Sequence, residues 1–172
     1  MLAKPGVLVN GDWVEVILLQ RRFAWNEEDW FAPLEHAVAG LGAAEAAWPP
    51  PGGGNTIRQN LAHLTFFDER LLRRLGGEHT PAEADNRRTF GPAGDPADEA
   101  GWSALVERTN RVARALPDAI RAYWGDPARP LEPGGSRPLR DELALWVAHD
   151  VYHTGQIVLL RRQQGSWPAA RG

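Results

Sequence analysis

No cysteine occurs in the chain, which excludes disulfides, thiolate metal sites, iron–sulfur clusters and a cysteine nucleophile together. Any metal must therefore rest on His, Asp, Glu or carbonyl oxygen. Excess positive charge is missing too. The formal net charge is −3 and the pI is near 6.0, so there is no polybasic field to hold a phosphate backbone, and no nucleic-acid partner is expected. Long apolar runs are also lacking. The strongest one near the start, Val14 to Leu19, is far too short to cross a bilayer, and no basic region with a cleavage site precedes it. The expectation is a cytoplasmic protein with no membrane partner.

What is present is the composition of an ordinary globule, 172 residues long, which predicts a single domain over 1–172 with a core large enough to need no staples. Eight tryptophans are scattered singly along it and read as core and cleft-lining aromatics. Pro and Gly punctuate the chain into long helical segments. Residues Phe31, Leu34, Val38, Leu41, Ala44 and Trp48 recur at helical spacing and predict a helix over about 30–48, stopped by the PPPGGG run at 49–54. A second helix is predicted from Asn55 or Thr56 to Leu75, closed by Gly76 and Gly77, with Ile57, Leu61, Leu64, Leu71, Leu72 and Leu75 inward. Glu69, Arg70, Arg73 and Arg74 are assigned to its outer face. The polar, non-periodic stretch over about 76–96 reads as a long crossover.

The third helix is expected over about 96–124, with Trp102, Val112, Leu116, Ile120 and Trp124 on one side and a kink or break at Pro117. The fourth is expected from Leu139 to Gln163. The first 25 residues form an extension to a bundle over about 26–165. They fit either a hairpin turning at Asn10-Gly11 or a short helix, of which the helix is favoured. Four amphipathic helices without a sheet make the chain all-α, a helix bundle, where metal sites are commonly built from facing helices.

The fourth helix carries the chemistry. In HDVYHTGQIVLL, His149 and His153 stand four residues apart; at about 100° per residue their rings emerge about 40° apart and one turn along, a geometry that can share one metal ion. The alternative is a pair of hydrogen-bonded core histidines, for which Asp150 and Tyr152 offer partners. Two imidazoles leave a first shell open, and a third ligand must come from elsewhere. His79 lies in the crossover and His36 beside Glu35. His63, in QNLAHLTFF, has Asn60, Phe66 and Phe67 at spacings of three and four, which places it on or beside the buried stripe, where a lone imidazole needs a partner. HDVYH also resembles the HExxH of zinc peptidases with Asp150 in the acid's place, but no further zincin motif follows it. Val147, Val151 and Val158 make the other side of this helix apolar as well, which predicts burial against a second subunit in a homodimer.

NTIRQNLAHL followed by HDVYHTGQIVLLRR, with EEDWFAPLEHAVAGL and the WPPPGG turn before them, resembles the DinB/YfiT-like family of metal-dependent enzymes over most of 30–162. The resemblance implies a four-helix bundle with a long crossover, frequent homodimers, and a divalent metal on three histidines, which map onto His63, His149 and His153. Gly155 and Gln156 also match, the first as a site of close helix contact and the second as either a buttress of the metal site or a satisfied polar group of the core. Characterised relatives include S-transferases using bacillithiol and an isomerase using mycothiol, so a low-molecular-weight thiol cosubstrate and a small-molecule substrate are implied.

Three neutral imidazoles leave a coordination position open, as catalytic sites do. Zinc is the first choice by ligand type, with nickel or iron permitted. The metal would either stabilise a thiolate for transfer or, in a hydrolase, supply a metal-bound water. A third possibility is a non-catalytic stress-response module. Glu142, Asp150 and Gln156 are the weak candidates for further catalytic residues, with Asp150 more naturally orienting a ligand ring. A cleft walled by Trp48, Trp102, Trp124 or Trp146 would favour an enzyme over a sealed structural site.

Overall fold

A computed structural model describes residues 10–123, 126, 128–132 and 134–169, with the side chains of 10–12 left aside. The helices in chain order are α1 (Asn10–Trp25), α2 (Leu34–Val38), α3 (Ala43–Ala46), α4 (Ile57–Leu75), α5 (Glu99–Tyr123) and α6 (Leu139–Gln163), with a 3₁₀ turn at Asn86–Phe90 inside the crossover. Among the described residues no strand forms, and the chain is all-helical. The long helices α1, α4, α5 and α6 form the bundle, with α4 against α5 and α6, and α1 against α6 and α5.

Local chemistry accounts for the ends of α4. Thr56 Oγ1 accepts from the backbone N–H of Gln59 at 3.2 Å and Gln59 Oε1 accepts from that of Thr56 at 3.0 Å, a reciprocal capping box. The helix stops where Gly77 turns with φ of 89°.

Several expectations are corrected, four of them concerning the helices. The helix expected over 30–48 is two short pieces, because Gly40 adopts φ of 72° and the carbonyls of Ala37 and Ala39 turn to accept from Arg161 Nη1 of α6, at 3.0 Å each. Pro117 does not break α5; it removes one intrahelical bond, while Leu116 and Ile120, both fully buried, hold the flanking turns in the core. Within the extension assigned to the first 25 residues, the described part, residues 10–25, forms the favoured helix, yet α1 joins the bundle by placing Val14, Ile17 and Leu18 in the core. Trp124 lies outside the described residues.

The fourth correction concerns the second apolar side of α6. Val147 is buried in the core, and Val151 and Val158 pack against it, where α6 meets α1 and α2. This chain thus supplies much of the burial expected from a second subunit, with Val151 and Val158 left half-buried. Gly155 is exposed, and nothing lies within 4 Å of where its Cβ would be, so no close helix contact within the chain requires it.

The core is divided. Val14, Leu71, Leu75, Leu116, Leu139 and Leu143 belong to one apolar cluster, and Leu34, Ile57, Leu61, Leu64, Trp102 and Ile157 to another. Along α4 and α6 the residues between them are polar and buried: His63 and Asp68 on one helix, Asp150 and His153 on the other, with Arg21 reaching in from α1. Charged and imidazole groups persist in such a belt only when mutually partnered, and their partners define the site.

Candidate metal centre

The belt brings His63 from α4 together with His149 and His153 from α6. One ring nitrogen from each of the three lies within 4.8 Å of the others, and His63 Nε2 stands 2.9 Å from His149 Nε2. His36 and His79 take no part in this cluster.

The surroundings of two of these rings decide which nitrogen is free. Thr89 Oγ1 donates to the Asn86 carbonyl at 2.5 Å, so toward His63 Nδ1, also at 2.5 Å, it can only accept. Asn60 Nδ2 donates to the Thr56 carbonyl at 2.9 Å, which turns its Oδ1 toward His153 Nδ1 at 3.0 Å. Gln156 Oε1 adds a second acceptor there, at 2.7 Å. Both rings therefore carry the proton on Nδ1 and present an Nε2 lone pair inward, the tautomer that a metal ligand needs. The donor set fits a divalent metal such as zinc.

Electrostatics agree with this. Burial, reinforced by the neighbouring His153 and His149, pushes the His63 pKa down to about 3. Burial and His153 push His149 down to about 4. Burial also lowers His153, against the hydrogen bond it donates to Gln156 Oε1, which raises it. All three rings are neutral at physiological pH.

Aromatic side chains enclose one side. Phe90 stacks on His63 with centroids 3.8 Å apart, and Phe67 meets the edge of His63 at 4.9 Å and of His149 at 5.1 Å. The other side opens into a cleft of about 800 Å³ between α4 and α6, which all three histidines line. Of the four tryptophans considered for its wall, Trp146 lines the cleft; Trp102 is buried and donates from Nε1 to the Leu41 carbonyl at 2.6 Å, and Trp48 packs on the core.

The other candidates separate clearly. Gln156 buttresses His153. Asp150 does not orient a ligand ring: its Oδ2 lies 3.2 Å from Arg21 Nε, facing the other way along the belt. Glu142 sits at the far end of the cleft, 2.6 Å from Arg74 and 3.5 Å from Arg137. Arg70 and Arg74, expected on an outer face, line the cleft instead. Thr89 and Phe90 escape sequence reasoning because they lie in the non-periodic crossover; a hydroxyl and an aromatic side by side in a polar loop were the only signal.

Replacing Thr89 with valine keeps the shape and removes the acceptor on His63. The expected result is a fall in metal affinity of about 10- to 100-fold, read by competition with a chelator. An unaltered affinity would show that Thr89 does not set the tautomer.

No curated protein and no solved structure matches the chain. A family model does: residues 27–157 match that of the DinB superfamily, a span that begins after α1 and includes all three histidines and both acceptor shells. By that match over most of its length, the chain belongs to the DinB superfamily.

Proposed function

We propose that the protein is a divalent-metal-dependent enzyme that activates a low-molecular-weight thiol for transfer to a small electrophile. The observation that carries this reading is the pair of imposed tautomers, which aims the Nε2 lone pairs of His63 and His153 beside His149 at the floor of an open cleft. A bound divalent metal supplies Lewis acidity there, which favours the thiolate form of a thiol. The chain's own residues do the rest. His63, His149 and His153 would hold the ion, Thr89, Asn60 and Gln156 fix two of the rings, and Phe67 and Phe90 pack against the rings at the cleft.

Transfer is favoured over hydrolysis by where the carboxylates go. A hydrolase gains from a free general base near the reacting atom. Asp150 is turned to Arg21, and Glu142 is held by Arg74 and Arg137. A thiol needs no base beyond the ion. A catalytic role is favoured over a sealed structural site because His149 faces the cleft and is only partly buried. Homodimerisation is part of the same proposal, now supported by an exposed strip of α6, Leu145, Tyr152 and Leu159, rather than by the valines.

The test is a conjugation assay on the zinc-loaded protein with a panel of small thiols and activated aryl halides. Turnover should need the metal and fall at least about 100-fold in His149→Ala, an amount of about 2.7 kcal/mol in barrier. Conjugation at equal rates by the metal-free protein would overturn the reading. Thiol-independent ester cleavage by the zinc form would redirect it to a hydrolase.

A further inference from the structure

The same cleft has a second chemical pole. Its end remote from the histidines is lined by Arg70, Arg74 and Arg137 with Glu142 among them. Arg74 is held 2.8 Å from Glu132 and 2.6 Å from Glu142. Arg70 donates to the Thr80 carbonyl at 2.8 Å and lies 3.9 Å from Glu132. Arg137 touches only the edge of this network, 3.5 Å from Glu142, with 58 % of its side chain exposed. Three guanidiniums thus share two carboxylates, and one positive charge is left facing the cleft. Arginine is the side chain suited to pairing with a carboxylate or phosphate through two parallel N–H bonds.

Distance along the helices separates the two poles. Arg70 and Arg74 follow His63 on α4 by seven and eleven residues, or about 10 and 16 Å at 1.5 Å per residue. Between the poles the walls are apolar, formed by Phe67, Leu71, Leu145 and Trp146. A site with a metal-binding floor, an apolar midsection and a cationic far end is complementary to one kind of molecule.

We infer that the cleft takes an elongated small molecule whose anionic group, a carboxylate or phosphate, pairs with Arg137 at the arginine end while its reactive end lies at the histidines. This rests on the metal and thiol reading for the identity of the reactive end only. The anion subsite stands on Arg70, Arg74 and Arg137. Arg137 is the residue assigned to contact the ligand, because Arg70 and Arg74 are occupied in holding Glu132, Glu142 and the Thr80 carbonyl.

Calorimetry on the full chain loaded with zinc tests it, with ω-mercaptooctanoate against ω-mercaptooctanol and with mercaptopropionate against mercaptopropanol. The longer acid should bind about tenfold more tightly than its alcohol, the worth of one charge-assisted contact. The short pair should show no such preference, and Arg137→Gln should abolish the preference of the long pair. Octanoate, octyl phosphate and octanol on the metal-free protein read the arginine end alone and distinguish carboxylate from phosphate. An acid preference there, lost in Arg137→Gln, upholds the subsite even if no thiol reaches the metal, which would instead sink the thiol reading. Equal affinities for acids and alcohols, or a preference that survives Arg137→Gln, would overturn the inference.

Discussion

His153→Ala and His63→Ala are each expected to cost the protein its stoichiometric metal. Free energies of zinc binding to four-ligand sites run to about 10–16 kcal/mol, so one imidazole of three is worth roughly 3–4 kcal/mol, or about 10²–10³ in affinity. That exceeds the effect expected for Thr89→Val, because the ligand itself is lost rather than its orientation. Elemental analysis after dialysis reads the result. Alanine at position 63 also removes the donor that Thr89 Oγ1 accepts from and leaves a gap beside Phe90, so His63→Gln, which retains an amide N–H for Thr89, separates loss of the ligand from loss of packing. Full occupancy in either position's variants would refute the triad.

The same histidines make the response to acid specific. In the folded chain His63 and His149 resist protonation down to about pH 3 and pH 4, whereas the unfolded chain protonates them near 6.5. Between those limits the unfolded state binds more protons, so the histidine contribution to stability is complete above about pH 6.5 and is lost as pH falls toward 4. The metal-free protein should therefore melt lower at pH 5 than at pH 7, and His63→Gln should show a shallower decline. Metal affinity of the folded protein should fall less steeply with acid than three ordinary imidazoles would allow, since burial holds all three rings below their usual value.

How much of this can be read from residues alone depends on whether the signal is periodic. The bounds of α4 and α6 are legible because caps, glycines and apolar repeats agree there: Asn55 or Thr56 at the start of α4, Gly76 with Gly77 at its end, and the apolar run from Leu139 through Leu160. The histidine pair is legible because two imidazoles one turn apart interrupt an apolar stripe. The break between α2 and α3 is not, because Leu34, Val38, Leu41 and Ala44 keep helical spacing across Gly40, whose left-handed backbone ends the helix. Nor does spacing reveal that Arg70 and Arg74 lie at the edge of the buried stripe of α4 and close over the cleft, or that the crossover returns Thr89 to His63. Those contacts join residues far apart in sequence. Arg21 is the clearest case. It reads like its neighbour Arg22, yet Arg21 is buried and Arg22 is exposed.

Arg21→Met is expected to be the most destabilising single change outside the metal site. Arg21 lies 3.2 Å from Asp68 on α4 and 3.2 Å from Asp150 on α6, with both carboxylates buried and the guanidinium over the rings of Trp25 and Trp146, 4.9 Å from each. One cation therefore ties three helices and serves two anions. Burial pushes the Asp150 carboxyl well above the usual range, and Asp68 adds to the rise while Arg21 opposes it. Burial raises Asp68 too, against Arg21 and the Trp146 indole. Removing the cation strands both carboxylates, at a cost of about 3–5 kcal/mol, or roughly 10 °C in Tm for a chain of this size. The sign with pH is opposite to that of the histidines. A carboxyl whose folded pKa is raised takes up its proton more readily folded than unfolded, so the loss should be greatest at pH 7 to 8 and should shrink as pH falls toward 5. Asp150→Asn in the Arg21→Met background should recover part of it, a coupling that a purely steric role for Arg21 would not produce. The consequence reaches the cleft, because Asp68 also accepts from Trp146 Nε1 at 2.6 Å and so holds the indole that walls it. A loss below about 1 kcal/mol, or one that does not change between pH 5 and 8, would show that α1 is anchored by its apolar face alone.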